Sequence, residues 1–503
     1  MRTTPAEETF DVLIIGAGLS GIGAGCHLRR SLPDKTFAIL EARDAIGGTW
    51  DLFRYPGIRS DSDMHTLGYA FSPWKDPRAI ADGPSILSYV RETADSHGVT
   101  ERVRFGHRVV GADWSEQDAR WTVEVERGDG ERVTFVCSFL LTCCGYYDYE
   151  RGHSPAFPGQ EDFAGKIVHP QHWPEDLDYA GKRVVVIGSG ATAITLVPAM
   201  AADAAHVTML QRSPSYLISL PGTDPIAGVL RRWLPEHAAY TTIRAKNVAT
   251  QAVWYWFCRR FPRQARAVIR KGAVSQLPAG FDVDRHLRPD YDPWTQRMCI
   301  SPDGDLFKAV SDGKASIVTD RIARFTANGI ELDSGEELAA DIIVTATGLQ
   351  LKAMGGISLS VDGEPVTVGE TIAYRGSMLS GVPNFSFAIG YTNASWTLKA
   401  DLTSEYVCRV LTYMDANGYT SCRPPIDPEG ITREPVIDLM SGYVLRSLAE
   451  LPDQGSVRPW KLRQNYPIDR YEFTRKPVDD GVLVFSRSPR AAAIEPPPAL
   501  ASV

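Results

Sequence analysis

The sequence predicts an α/β fold with two nested Rossmann-like domains and a helical insertion, and three observations support this prediction. An apolar strand runs into a glycine-rich loop near residue 16 and again near residue 188. Another apolar strand, at 341–348, lies far enough along the chain to return to one of these two units. A segment rich in arginine and aromatic residues, at 217–290, precedes that strand. A chain of 503 residues also exceeds what one hydrophobic core usually serves.

Composition and charge exclude several classes of protein. The net charge of −8 argues against nucleic acid as the main partner, since phosphate binding needs a basic surface. The longest apolar run near the middle of the chain, Ala252–Cys258, is far shorter than the ~20 residues of a membrane span. The acidic first residues predict no signal peptide. The eight cysteines form no Cys-x-x-Cys pair and no zinc spacing, so we expect reduced thiols, a cytoplasmic protein and no metal site.

The first glycine loop has the residue order of a dinucleotide-binding site. An apolar strand leads into Gly16-Ala-Gly18-Leu-Ser-Gly21, and a helical pattern follows. The first glycine permits a tight turn, the second admits a pyrophosphate to the backbone, and the third lets helix and strand pack closely. The next strand ends at Glu41, whose carboxylate can accept from both hydroxyls of an unphosphorylated ribose. A glycine-rich turn in an ordinary α/β protein is the alternative interpretation.

The second glycine loop begins at Gly188 and reads Gly-Ser-Gly-Ala-Thr-Ala, with Ala193 in the third glycine position. Alanine still permits close packing of the helix. The following strand leads to Arg212-Ser213, so an arginine occupies the position that Glu41 has after the first glycine loop. An arginine fork suits a 2′-phosphate that a carboxylate would repel. The two loops therefore predict an unphosphorylated adenosine ribose in the first site and NADPH in the second.

Two longer motifs show a resemblance to a known family. The segment 163–174 reads Phe-Ala-Gly-Lys-Ile-Val-His-Pro-Gln-His-Trp-Pro and matches the fingerprint of the Baeyer–Villiger monooxygenases, which are class B flavoprotein monooxygenases. The related N- and S-oxidising flavin-containing monooxygenases carry Tyr or Phe in place of Trp173. A second family motif, Gly-Gly-x-Trp-x-x-x-x-Tyr-Pro-Gly-x-x-x-Asp, is matched in full at 47–61. The resemblance covers roughly residues 10–400.

The resemblance implies an enzyme that uses FAD and NADPH to insert one oxygen atom of O2 beside a ketone carbonyl, giving an ester or lactone through a C4a-peroxyflavin. Arg297 matches the family's catalytic arginine, and Asp61 matches the acid beside it. An arginine stays charged at working pH and can hold an anionic oxygen. The alternatives are a surface ion-pair arginine and a turn-capping acid.

The resemblance also implies a set of cofactor-binding residues. For FAD these are Gly16, Gly18, Ser20, Gly21, Glu41, Gly48, Thr49, Trp50, Asp61, Val109 and Gly348. For NADPH they are Gly188, Ser189, Gly190, Ala191, Thr192, Arg212, Ser213 and Trp396. A core aromatic is the equal alternative for Trp396. We expect His169 to serve in packing or as a hinge rather than as a general base.

One position departs from the family pattern. Many members carry a lysine immediately before the catalytic arginine, where it helps hold the 2′-phosphate, but this chain has Gln296. Binding of the 2′-phosphate would then depend more on Arg212, and strict preference for NADPH over NADH is left open. The segments 292–297 and 393–399 are most similar to the subgroup that includes the mycobacterial ethionamide-activating monooxygenase, which implies side activity on sulfides or thioamides.

Three other functions compete with this interpretation. An S- or N-oxidising flavin-containing monooxygenase is the main rival, and Trp173 argues against it. A disulfide reductase would need a redox pair of cysteines that the sequence lacks. A non-catalytic FAD-binding protein would have no need of both Arg297 and Asp61.

These observations divide the chain into segments. The FAD domain takes 1–150 and 347–487, the NADPH domain takes 153–216 and 291–346, the helical insertion takes 217–290, and 488–503 is predicted to be a disordered tail. The apolar strand at 341–348 straddles the boundary between 346 and 347, and we expect it to close the first domain, which would make that domain discontinuous. A strand of the second domain is the alternative.

The insertion has an unusual charge pattern. Between residues 226 and 272 it carries ten Lys or Arg and a single acid, Glu236, with several Trp, Tyr and Phe among them. A helical cover over the active site is the first interpretation. Peripheral contact with an anionic membrane surface is the second. The expected partners are a small ketone or sulfide substrate and O2, with no nucleic acid.

Overall fold

The structure is a computed structural model that describes residues 8–488. The predicted disordered tail at 488–503 lies outside these residues, apart from Ser488. Within 8–488, no helix is both long enough and apolar enough to cross a bilayer.

Among the described residues, the first sheet has nine strands and surrounds the strand that enters the first glycine loop. Eight of them lie in the spatial order Glu364–Val366, Ser358–Val361, His107–Ser115, Arg120–Arg127, Arg132–Thr142, Glu8–Ile15, Phe37–Leu40 and Val103–Arg104, and the ninth, Phe385–Phe387, pairs with Arg132–Thr142. Glu8–Ile15 is parallel to both neighbours, with Ile14 opposite Ile39 and Leu141. Residues 358–387 supply three strands, so this unit is discontinuous.

The second sheet has five parallel strands in the same described part of the chain. Their order is Ala315–Thr319, His206–Gln211, Arg183–Ile187, Ile342–Thr345 and Lys166–Val168. The late apolar strand is therefore Ile342–Thr345, and the prediction that it closes the first domain is wrong. All four of its residues are buried, and such a run fits the middle of any parallel sheet. Its own sequence does not decide between the two sheets.

Alternate residues of the first strand pack on opposite faces of its sheet. Val12 and Ile14 join one core cluster, while Leu13 and Ile15 join the other. This alternation follows from the two-residue repeat of a strand, and both faces are apolar because this part of the sheet, where the strands are parallel, is covered on both sides. The first of these clusters also holds the packed helices Leu19–Ser31 and Trp396–Asn417.

The central part of the insertion folds as three consecutive helices. They are Pro225–Trp233, Glu236–Arg260 and Pro262–Val274. Asp224 caps the first by accepting from the backbone N–H groups of Ile226 (3.0 Å) and Ala227 (3.1 Å). Pro262 starts the third, because the first helical position needs no N–H donor. Glu236–Arg260 is named below the long insertion helix.

The remaining elements are shorter or lie outside the two main sheets. The other helices are Thr49–Leu52, Met64–Leu67, Gly83–Ser96, Ala191–Met200, Val283–His286, Asp305–Ser311, Gly442–Leu445 and Tyr466–Thr474. The other strands are Tyr147–Gly152, Leu217–Leu220, Cys299–Pro302, Ile322–Thr326, Gly329–Leu332, Glu337–Ala339, Leu349–Leu351, Ala373–Tyr374, Met378–Leu379, Ser421–Arg423, Arg433–Pro435, Asp453–Gly455 and Val484–Ser486.

Close packing at the first glycine loop leaves no space for a side chain at Gly21. A Cβ atom there would lie 1.8 Å from the carbonyl oxygen of Gly16. Ala193, in the corresponding position of the second loop, is fully buried without such a conflict. The third position therefore tolerates alanine in one loop and not in the other.

We predict that Gly21→Ala destabilises the protein by about 3 kcal/mol, because the backbone must move to admit the methyl group. This value is at the upper end of the cost that is typical of overpacking substitutions. Gly272→Ala is the matched control, since a Cβ on this helical glycine meets nothing within 4 Å. That change should stabilise the helix by about 0.5–1 kcal/mol. Melting temperatures from circular dichroism compare the two, and equal values would contradict the packing argument.

Candidate active site

A cavity of about 610 Å³ lies where the first glycine loop, the 47–61 segment and the start of the second loop's helix meet. Many of the residues expected to bind the cofactors line it: Gly16, Gly18, Ser20, Glu41, Gly48, Thr49, Trp50, Asp61, Val109, Ala191, Thr192 and Trp396. Arg297 lines it as well. Segments far apart in sequence therefore converge on one space.

The floor of the cavity is built from two glycine turns in direct contact. A Cβ atom on Gly48 would lie 3.0 Å from the Cα atom of Gly18, and Gly48 has a φ of +56°. The N–H of Gly16 donates to the carbonyl of Leu40 (2.8 Å), which fixes the loop to the neighbouring strand. These turns leave the N-terminus of helix Leu19–Ser31 open to the cavity, as an anion site requires.

Glu41 is buried at the rim of the first loop. One carboxylate oxygen accepts from the N–H of Ala17 (2.7 Å) and the other from the N–H of Arg43 (2.9 Å). Burial raises the pKa of Glu41, and the two backbone donors oppose that shift. The carboxylate thus secures the loop, and each oxygen has a further lone pair for an incoming hydroxyl.

Asp61 and Arg297 form a bidentate ion pair in the cavity wall. Nε of Arg297 lies 2.9 Å from Oδ2 of Asp61, and Nη2 lies 3.0 Å from Oδ1. Each side chain is 33% exposed. The attraction of Asp61 raises the pKa of Arg297, so the guanidinium stays charged at every working pH. The structure thus places together the two residues that the sequence singled out as a catalytic pair.

Three tyrosines that the sequence analysis missed stand around this pair. The hydroxyls of Tyr146 and Tyr147 are 3.1 Å apart, and burial raises the pKa of both, as it does for Tyr443. They are therefore neutral phenols beside the Arg297 charge. Tyr146 and Tyr147 follow the carboxyl end of a strand that is parallel to Glu8–Ile15, the edge at which such sheets bind ligands, and that signal was available in the sequence.

Trp396 is tied to the first loop. Its indole N–H donates to the hydroxyl of Ser20 (2.7 Å), and its ring stacks on Tyr146 with centroids 5.1 Å apart. It also packs against both core clusters of the first sheet. Trp396 is thus a packed aromatic that also lines the cavity, on the side of the first loop.

The second loop is joined to the end of strand His206–Gln211. The hydroxyl of Ser189 donates to the carbonyl of Ser213 (3.0 Å) and lies 3.0 Å from the hydroxyl of Ser215. Arg212 and Ser213 are exposed beside it. Ala191 and Thr192 continue from this loop into the cavity wall.

His169 and Gly348 lie at the chain crossings between the two sheets. A Cβ atom on Gly152 would lie 2.0 Å from the His169 ring, and Nδ1 of His169 accepts from the N–H of Gln171 (3.2 Å). The carbonyl of Gly348 accepts from the N–H of His153 (3.0 Å). Burial lowers the pKa of His169. A packing or hinge role for His169 remains a prediction.

The insertion does not contribute to the wall of the cavity. Among the described residues that line it, none falls within 217–290. The residues that line the cavity therefore do not support the interpretation of the insertion as a cover over it. The insertion reaches the surroundings of the ion pair at two places. Asn247 donates to Asp63 (2.8 Å) in the turn after Asp61, and the ring of Tyr255 contacts that of Trp294, three residues before Arg297 (centroids 5.5 Å).

Comparisons with known proteins agree with this architecture. The family model described as flavin-binding monooxygenase-like matches residues 10–225. The FAD-containing monooxygenase EthA of Mycobacterium tuberculosis is 54% identical over 491 residues, which cover 97% of this chain and 100% of EthA.

Two solved structures share the fold. Oxidised steroid monooxygenase bound to NADP aligns with a TM-score of 0.74 and 24% identity, over 95% of this chain and 100% of that one. The open crystal structure of cyclohexanone monooxygenase aligns with a TM-score of 0.70 and 23% identity, over 84% and 90% of the two chains. At these identities the likeness establishes a common fold.

Proposed function

The chain belongs to the family of FAD-containing monooxygenases that includes EthA, and we propose that it oxidises a ketone to an ester or lactone with FAD, NADPH and O2. Ketone, O2, NADPH and one proton would give the ester, NADP⁺ and water. The observation that carries the proposal is the bidentate Asp61–Arg297 pair in a cavity shared by both glycine loops.

The residues of the first unit fit FAD. Because Gly18 and Gly48 carry no side chains, their two turns lie in contact and nothing covers the backbone between them. The backbone N–H groups of the first loop can therefore face a pyrophosphate. Glu41 stands at the rim, where it can accept from ribose hydroxyls. FAD bound there and reduced by NADPH would be the group that reacts with O2. The relatives named FAD-containing monooxygenases support this assignment.

The second unit fits NADPH. Its loop opens at the N-terminus of helix Ala191–Met200, and the exposed Arg212 stands next to Ser213, which the loop binds. Because Gln296 carries no charge, Arg212 is the residue in this loop region that we assign to the 2′-phosphate. The neighbour of similar fold that was solved with NADP supports the assignment.

Arg297 would act by holding negative charge rather than by moving a proton. Its guanidinium stays ionised beside Asp61, and Nη1 remains available to a carbonyl oxygen in the cavity. Charge that develops on that oxygen is stabilised more strongly in a space lined by aromatic rings than in water. Tyr146, Tyr147 and Trp396 supply such a lining.

We predict that Arg297→Ala lowers ester formation at least about 100-fold while FAD stays bound, because the side chain stabilises developing charge and does not support the loops. The assay follows NADPH oxidation and products by mass spectrometry, with cyclic, linear and aryl ketones and one aryl methyl sulfide. Arg324→Ala is the control, since this arginine pairs with Glu331 on an exposed hairpin.

Either of two results would overturn the ketone proposal. Sulfoxide from the sulfide with every ketone untouched would move the chain to the S-oxidising class. Full ester formation by the Arg297→Ala protein would remove Arg297 from the reaction. Ester and sulfoxide together would support the side activity on sulfur that the motifs at 292–297 and 393–399 imply.

We predict that Arg212→Ala lowers kcat/KM for NADPH by roughly 10- to 100-fold and leaves kcat/KM for NADH nearly unchanged, because a charge-assisted contact to phosphate is lost. Arg321→Ala, at another exposed arginine of the same unit, should change neither value. An equal fall with both nucleotides would show that Arg212 acts on the fold and not on the 2′-phosphate.

The insertion surface supports a second proposal, contact with an anionic membrane. The long insertion helix presents an apolar strip in which Val253 is 63% exposed and Trp256 is 58% exposed, and Trp233 on the preceding helix is 78% exposed. Arg259 and Arg260 end the same helix and are exposed. In a chain with a net charge of −8, exposed basic and apolar side chains on one helix complement anionic lipid.

We predict that the protein sediments with phosphatidylserine vesicles at low salt and much less with phosphatidylcholine vesicles. Binding requires both electrostatic attraction between the arginines and anionic lipid and insertion of the apolar side chains into the bilayer surface. Trp256→Ser should reduce pelleting. Ile426→Ser, at a residue 68% exposed elsewhere, should not. Pelleting that does not depend on anionic lipid would end this proposal.

A further inference from the structure

The turn that follows Asp61 is hydrogen-bonded to the long insertion helix. Nδ2 of Asn247 donates to Oδ1 of Asp63 (2.8 Å), and Nε2 of Gln251 donates to Oδ2 of Asp63 (2.6 Å). Asn247 and Gln251 are four residues apart, so they lie on one face of the helix. Asp63 also accepts from the N–H (3.1 Å) and the hydroxyl (2.6 Å) of Thr66. Each carboxylate oxygen therefore has two donors.

A buried arginine strengthens the same contact. Arg244 precedes Asn247 by three residues on the helix and is only 7% exposed. Its Nη1 donates to the backbone carbonyls of His65 (2.8 Å), Thr66 (3.2 Å) and Gly68 (2.7 Å). A guanidinium held by three carbonyls fixes the path of the backbone just beyond Asp63.

The same turn is also hydrogen-bonded to the residues on either side of Trp396, which lines the cavity. The hydroxyl of Thr66 lies 2.6 Å from that of Ser395, and the hydroxyl of Thr397 donates to the Thr66 carbonyl (3.0 Å). Ser395 and Thr397 flank Trp396, while Asp61 lies two residues before Asp63. One short turn thus connects the insertion with both the ion pair and the packed tryptophan.

We propose that the long insertion helix positions the Asp61–Arg297 pair through Asp63, with Asn247 and Gln251 as positioning residues. The proposal rests on the proposed function only in taking that pair as catalytic. Asp61 lies in a loop and is one-third exposed, so its orientation depends on what holds the chain beside it. A displacement near 1 Å in a catalytic group lowers a rate by about 100-fold.

The test compares the double variant Asn247→Ala/Gln251→Ala with Thr250→Ala, a control at an exposed position on the same helix. Hydrogen exchange by mass spectrometry reports on peptides that cover 58–68 and needs no catalysis. We expect several-fold faster exchange there in the double variant and wild-type exchange in the control. Unchanged protection of 58–68 would overturn the proposal.

A second readout separates positioning from simple support of the fold. Per bound FAD, the double variant should lose about 10- to 100-fold in kcat for oxygenated product and divert NADPH consumption to hydrogen peroxide, with KM for NADPH unchanged. Faster exchange with wild-type coupling would overturn the positioning role. If the wild-type protein forms no oxygenated product, the proposed function is wrong. The hydrogen-exchange result still decides whether the long insertion helix holds the turn.

Gln251→Glu offers an isosteric variant with a pH signature. The new carboxyl group faces Asp63, and the nearby carboxylate raises its pKa. Below that pKa it is neutral and can donate as Gln251 does, while above it two carboxylates repel. The fraction of oxidised NADPH that yields oxygenated product should therefore approach the wild-type value below the pKa of the new carboxyl group. It should fall as pH rises above that pKa, relative to a wild-type profile measured in parallel. A profile parallel to the wild type would contradict the proposal.

Discussion

The ion pair between Asp61 and Arg297 is the contact on which the proposed chemistry of the site depends. It joins residues 236 positions apart in the chain. Asp61 ends the segment that also supplies Gly48 to the floor of the cavity, while Arg297 precedes strand Cys299–Pro302, which pairs with Leu217–Leu220 at the start of the insertion. One bidentate contact thus links the first unit to the chain on either side of the insertion.

The surroundings of the pair explain how a charge can persist in an aromatic wall. An arginine there loses part of its hydration, and Asp61 replaces it with two hydrogen bonds. The nearby phenols remain neutral because burial raises their pKa, so they do not compete as anions. The result is a fixed positive charge with unused donors, which can respond to negative charge in a bound substrate.

The insertion influences this centre without lining it. Its long helix presents two amides and a buried arginine to one turn, and the carboxylate of Asp63 is fully satisfied by four donors. Hydrogen bonds to charged groups in such a setting contribute about 1.5–3 kcal/mol each. The insertion can therefore affect the geometry of a remote pair while keeping another surface for contacts of its own.

Much of the fold and part of the site could be predicted from local sequence. Both glycine loops and the strands before them are where the spacing indicated, because turn glycines and short apolar strands are set by backbone sterics and near-neighbour packing. Asp61 and Arg297 were found through family motifs. The tyrosine cluster was missed because Tyr146 and Tyr147 belong to no motif, although they directly follow a buried apolar strand whose end could have been read as a ligand-binding edge.

The sequence by itself determined the fold class, the two loops and the chemical identity of the central pair. Tertiary structure alone decided the sheet to which Ile342–Thr345 belongs, since a run that is apolar throughout satisfies either sheet equally. It alone decided that Trp396 bonds to Ser20 and that Asn247 meets Asp63 across 184 residues. Such contacts depend on how distant segments approach one another in space, which local residue preferences do not specify.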